Sequence, residues 1–233
     1  MQNTNNLVLI DSDRSAVSFN NIARLVNHWP YESGYRIAIE LLALTGMRPC
    51  ELDAIGPSNF WSNIIMWKPR KKQTGSRKEK LPEWFLDELD LYLGSNHIAN
   101  NRLFNFTHNT LRRKLNAARK ELGGDFLKKK MVAKSGFATK PRYEYMIQLR
   151  SFRKTFQCRL FHQYLEQYGC QLALDMVSKD MRHSSAHITG RHYVSDIKYM
   201  TEDLHRYKGV SMANIIKSKQ QRKLFEFEKL CYV

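Results

Sequence analysis

Residues 31–52 read YESGYRIAIELLALTGMRPCEL. Apolar side chains recur in this stretch at three- and four-residue spacing, which predicts an amphipathic helix stopped by Gly46. The same spacing in SFNNIARLVNHW, residues 18–29, predicts a helix before it, and the pair begins a helical core. Downstream the pattern changes. FWSNIIMWKP, residues 60–69, turns to β-branched and aromatic residues, a basic turn KKQTGSRKE follows with Gly75 at its tip, and KLP closes a hairpin. Helical periodicity returns over 83–93, 107–122, 147–168, 171–181 and around 188–199. The stretch THNTLRRKLNAARKEL, residues 107–122, keeps Leu111, Leu115 and Leu122 on one side and cations, Arg112 and Arg113 among them, on the other. Such a cationic face suits a phosphate backbone. Residues 123–145 have weak periodicity, begin with two glycines and contain a KKK run, so they read as a mobile basic loop or a poorly formed β element.

The order is mostly α, then one hairpin, then α again. The expected fold class is therefore mainly α with a small antiparallel β-hairpin sheet, in one domain with a C-terminal extension. A chain of 233 residues, 42% apolar, is long enough for one substantial core or two small ones. Its 38 basic against 22 acidic residues leave +16, which makes a polyanion the default partner. With 12 Phe, 11 Tyr and 4 Trp it is too aromatic for a disordered basic tail. No apolar run reaches the roughly 18 to 20 residues that span a bilayer, and the opening MQNTNNLVLIDSD lacks the marks of a signal peptide. The expectation is a soluble intracellular protein with no membrane partner, in the cytoplasm or associated with nucleoid or host DNA. Cys50, Cys158, Cys170 and Cys231 form no CxxC pair and read as reduced thiols.

Three patches carry chemistry: TGMRPCEL around Arg48, RSFRKTF around Arg153, and MRHSSAHITGRHYV with His183 and Tyr193. Together, and in this order, they resemble the tyrosine recombinase (phage integrase) family. The resemblance implies that Arg48 is the first catalytic arginine and that Glu51, three residues on, orients it. PRKKQTGSRKEKLP, residues 69–82, is similar to the family's β-hairpin with its catalytic lysine, placed at Lys72 with Lys71 as the close alternative. Arg150 and Arg153 fall on the family's H-x-x-R box, His183 matches the next histidine, and Tyr193 matches the nucleophile. Two departures stand out: Arg150 occupies a position where most members have His, and Met-Arg-His stands where Leu-Gly-His is usual. The match covers residues 18–200 as a catalytic DNA breaking and rejoining domain, preceded by a polar leader (1–17) and followed by an extension (201–233). Members usually carry an N-terminal DNA-clamping domain; with only residues 1–17 ahead of the match, the expectation is a naturally minimal enzyme or a truncated chain.

The residue types agree with that chemistry on physical grounds. Breaking a phosphodiester without metal or ATP needs a nucleophile, a cationic cradle and a proton donor. A tyrosine oxygen attacks phosphorus, guanidinium forks stabilise the charge on the non-bridging oxygens, and a hairpin lysine can protonate the leaving 5′ oxygen. The covalent 3′-phosphotyrosyl bond then conserves the energy for rejoining. No cofactor is expected. Taken singly, each residue has a plainer reading: Arg48 as a helix-terminus cation, Arg150 and Arg153 as a solvated helix face, the lysines as a plain basic hairpin, and Tyr193 as a core tyrosine. Their order favours the site. His183 and His187 have a spacing that could hold zinc, but Ser184 replaces the glutamate of H-E-x-x-H and no acid lies between His183 and Tyr193, so no metal is expected.

The expected partner is double-stranded DNA, gripped by Lys71, Arg112, Arg113 and the run Lys128, Lys129 and Lys130. Self-association on DNA is expected from the resemblance, with room for an accessory DNA-bending or directionality factor. The tail carries Ile215, Ile216, Leu224, Phe225, Phe227 and Leu230, which suit docking on a neighbouring protomer or on the chain's own core. The leading function is site-specific recombination or integration. Its alternatives are a type IB topoisomerase-like nicking and closing enzyme and a catalytically silent DNA-binding regulator.

Overall fold

The computed structural model describes residues 16–69, 75–98, 100–132, 142–168 and 170–181. Helix α1 (Phe19–Val26) starts where the Ser18 hydroxyl accepts the Asn21 N–H at 3.2 Å, and it ends before the predicted Trp29. Helix α2 (Gly34–Thr45) is buried almost all round rather than along one stripe, the side chains of Arg36 and Glu40 included. Its end is set by Gly46, whose φ of +60° is the left-handed conformation a glycine adopts without strain. The Gly46 N–H closes the last turn on the Leu42 carbonyl at 3.0 Å. Helix α5 (Leu149–Tyr168) packs across α2 and against α6 (Cys170–Met181), with Phe152 and Phe156 fully buried between the elements.

The predicted hairpin is present and gains a strand. β1 (Phe60–Trp61), β2 (Ile64–Trp67) and β3 (Arg77–Lys80) form an antiparallel sheet in which Ile65 faces Glu79 and Trp67 faces Arg77. Alternation along β2 turns Ile65 and Trp67 inward, which ties the sheet to the helical core. Helix α3 (Glu83–Ser95) follows, then α4 (His108–Leu122), which buries Leu111 and Leu115 as its periodicity predicts. The basic stretch 123–145 takes the β alternative at its two ends: β4 (Lys129–Val132) pairs antiparallel with β5 (Arg142–Tyr145). Among the described residues no helix is long and apolar enough to cross a membrane.

One polar cluster sits inside this core. Arg36, 1% exposed, donates from Nε and Nη2 to the two carboxylate oxygens of Glu88 at 2.8 and 3.1 Å and lies over the Tyr31 ring. Glu40, wholly buried one turn along α2, lies 3.4 Å from the Arg36 Nε, and neither of its oxygens receives a hydrogen bond. Burial first, then the neighbouring Glu88 charge, pushes the Glu40 carboxyl well above the ordinary carboxylate range, against the pull of Arg36. Protonation of Glu40 removes one of two neighbouring buried negative charges, and one arginine then faces one carboxylate.

The folded state holds a proton on Glu40 that the unfolded chain loses, so this stabilisation is full below the ordinary carboxylate range and fades as pH rises towards the raised value. Glu40→Gln, which is neutral at every pH, should melt with a flatter alkaline limb than the wild type; superimposable melting curves from acid to alkaline pH contradict the assignment. A Cβ on Gly46 would meet Phe156 Cδ1 at 2.4 Å in a backbone conformation that disfavours side chains. Gly46→Ala should therefore cost about 2 kcal/mol or more, a drop in Tm of roughly 4–8 °C for a chain of this size. An unchanged Tm would show that the turn is not constrained as described.

Candidate active site

The Thr-Gly that precedes Arg48 has a local physical role. The Thr45 hydroxyl donates to the Leu41 carbonyl at 2.6 Å and accepts the Met47 N–H at 3.2 Å, while Gly46 turns the chain out of α2. Arg48 emerges from this turn into a 3₁₀ helix (Pro49–Ala54) that opens on proline, as a helix start favours. Glu51, 3% exposed, then reaches back. Its carboxylate accepts the Arg48 N–H at 2.9 Å, the Arg48 Nη1 at 2.9 Å and the Trp67 indole N–H at 3.1 Å. Burial pushes the Glu51 carboxyl up, but these three donors together hold it below the ordinary carboxylate range. It stays ionised and fixes the Arg48 guanidinium, whose side chain is one-quarter exposed.

Arg153 brings separate boxes together. From the first turns of α5 its Nη1 donates to the Gly46 carbonyl at 2.6 Å and its Nη2 donates to the Met181 carbonyl at 3.1 Å. Gly46 lies two residues before Arg48, and Met181 two residues before His183. One guanidinium thus joins the end of α2 to the end of α6. Arg150, one helical turn before Arg153, is exposed and lines a cleft of about 410 Å³ together with Arg112 and Pro49. Lys71, Lys72, His183 and Tyr193 lie outside the described residues, as do His187 and Ser184.

A second connection, not expected from the sequence, runs through the sheet. Arg77 of β3, 7% exposed, sits 5.2 Å over the Trp67 ring, pairs with Glu79 at 3.1 Å and directs Nη1 and Nη2 at the Met181 sulfur at 3.8 and 3.9 Å. The contacts close into a ring: Arg48, Glu51, Trp67, Arg77, Met181, Arg153 and Gly46. Arg77 hid in the sequence among seven cations between Lys68 and Lys80. The inward alternation of Ile65 and Trp67 was the one signal that could have exposed it, because the residue opposite Trp67 must share its buried face.

The expected DNA-gripping cations are distributed unequally. Arg112 and Arg113 are both exposed on α4, but only Arg112 lines the cleft with Arg150. Lys128 pairs with Asp125 at 2.7 Å, and Lys129 lies over the Tyr145 ring at 4.9 Å. The backbone of Lys130 is in β4 and its side chain is outside the description. Among the described residues no group of three or more His, Cys, Asp or Glu is placed to hold a metal ion.

No family profile matches the sequence, and no curated protein does. Solved structures do resemble the fold. XerA recombinase superposes with a TM-score of 0.55 at 19% identity over 83% of this chain and 65% of its own. XerH site-specific recombinase, bound to a palindromic difH substrate in a post-cleavage complex, gives 0.55 at 14% identity over 81% of this chain and 52% of its own. The Tn1549 transposon integrase, in complex with transposon right end DNA, gives 0.50 at 16% identity over 83% of this chain and 67% of its own. The chain thus matches about half to two thirds of the length of these proteins. The mainly α architecture with its small antiparallel sheet is the fold of the tyrosine recombinase catalytic domain.

Proposed function

We propose that this chain is a site-specific DNA recombinase or integrase that cuts and rejoins duplex DNA through a 3′-phosphotyrosyl intermediate. The Tyr193 hydroxyl releases its proton to solvent as its oxygen attacks the scissile phosphorus, the P–O5′ bond breaks, and the phosphate becomes esterified to the tyrosine. Lys72, or Lys71 beside it, gives a proton to the departing 5′ oxygen. Arg48, Arg150 and Arg153, with His183, meet the charge that builds on the non-bridging oxygens. A 5′ hydroxyl from the second strand reverses the step, so the energy of the broken bond is retained and neither ATP nor metal enters the balance.

The observation that carries this reading is the double hydrogen bond from Arg153 to the Gly46 and Met181 carbonyls. It draws the segments leading to Arg48 and His183 towards one point, which a solvated surface arginine has no reason to do. The recombinase fold and the +16 charge support it further. Assembly of more than one protomer on DNA, aided by the apolar tail, belongs to the same proposal. Steep weakening of duplex binding with salt is its electrostatic corollary.

A nicked suicide duplex is the test. Wild-type protein should form a covalent adduct at Tyr193, and Tyr193→Phe should bind the duplex but form none. Arg48→Ala should slow adduct formation by about 10²-fold or more, in line with loss of a transition-state charge donor. Binding without any adduct in the wild type would instead favour the silent regulator. Arg150→His should keep most of the rate, since both side chains donate to phosphate, whereas Arg150→Ala should be clearly slower. An alanine variant as fast as wild type would make Arg150 a surface cation.

A further inference from the structure

The cleft beside the candidate site contains a buried arginine that meets no counter-ion among the described residues. It lies between α4 and the turn from β5 into α5. Arg119 lines it, 2% exposed, with its guanidinium 4.3 Å over the Tyr145 ring, one nitrogen donating to Asn116 and another to the Ile147 carbonyl. Its Nε has no hydrogen-bond partner, and no carboxylate pairs with it among the described residues. Burial pushes this guanidinium down to about 10, with only Tyr145 opposing. A charge taken out of water with no counter-ion is costly unless an anion completes the site.

The rest of the cleft points the same way. Arg112 and Arg150 share its walls, and its acid, Glu144, accepts a hydrogen bond from Gln148 at 3.2 Å. Three guanidinium groups thus face one carboxylate. At the rim, Asp53 accepts the His108 N–H at 2.7 Å and holds the His108 ring through Nδ1 at 2.6 Å, which leaves Nε2 as the ring's other polar atom. Asp53 belongs to the same 3₁₀ turn as Glu51, and Pro49 of that turn lines the cleft. One short helix therefore anchors Arg48 on one side and the cleft on the other.

We infer that this cleft is a second phosphate seat, holding a phosphodiester of the bound duplex other than the one that is cut. The inference rests on the DNA-binding reading above. Arg119 binds the anion from below and Arg112 closes on it from the side, while Arg150, on the wall nearer the candidate site, stays with the scissile phosphate. The rigid turn between Arg48 and Asp53 sets the spacing between the two seats and so fixes the register of the strand before chemistry begins.

Binding of the full chain to a mixed-sequence 30-base-pair duplex, measured over a salt series, tests this. Arg119→Gln should weaken binding by about tenfold and reduce the slope of log Kd against log salt by about 1, and Arg119→Lys should restore most of both. A folded Arg119→Gln with wild-type affinity and slope overturns the seat and leaves Arg119 as a strut. If Arg119→Gln does not fold, the exposed Arg112 carries the test, and wild-type affinity and slope in Arg112→Gln overturn it. Inorganic phosphate at constant ionic strength separates the sources. A rise in the Tm of the wild type but not of Arg119→Gln, with the duplex slope unchanged between them, would assign the cleft to a free anion and overturn the proposal. Failure of the wild type to bind duplex at all would instead remove the functional reading itself.

Discussion

The guanidinium of Arg153 donates to two carbonyls, at 2.6 Å to Gly46 and at 3.1 Å to Met181, at the ends of helices that are far apart in sequence. Charge-assisted bonds of this kind are worth about 1.5–3 kcal/mol each, and here they also fix direction. They tie the segment carrying Arg48 directly to the end of α6. Gly46 has a place in this arrangement for a reason of volume as well as of φ. Its Cα lies against Phe156, one turn of α5 beyond Arg153, so the carbonyl is presented to the arginine because nothing larger than hydrogen fits behind it.

The second half of the frame runs through the sheet. Glu51 is held ionised by three donors, one of them the Trp67 indole, and this transmits the position of β2 to Arg48. Arg77, stacked on the same tryptophan, returns the connection to Met181 through its sulfur. A β-hairpin is a soft element on its own, and a tip loaded with cations repels itself. Tying its base at Trp67 and Arg77 to both ends of the arginine pair gives that tip a fixed root.

Much of this was legible in the sequence because local rules and the global fold agree. The end of α2 at Gly46, the hairpin from 60 to 80 and the apolar stripe of α4 all follow from periodicity and turn chemistry. The family resemblance implies Glu51 as the residue that orients Arg48, and the Arg48 Nη1 donates to its carboxylate at 2.9 Å. What stayed hidden depends on contacts across the chain. Arg77 and Arg119 look like solvated cations in a strongly basic sequence, and only the packing of β3 and α4 shows that both are buried. The pairing of β4 with β5 is not legible, because KKMV and RYEY carry charges like the basic run around them and lack the β-branched stretch that marks β2. Arg36, Glu40 and Glu88 fall on helix faces where a sequence reader expects solvent.

The most direct measurement is an experimental structure of the Tyr193→Phe protein on the duplex that it cuts. The account predicts the scissile phosphate within hydrogen-bond reach of both Arg48 and Arg153, with Arg153 still donating to the Gly46 and Met181 carbonyls. An Arg153 that swings away from those carbonyls when DNA binds, or a scissile phosphate seated apart from both arginines, would contradict it.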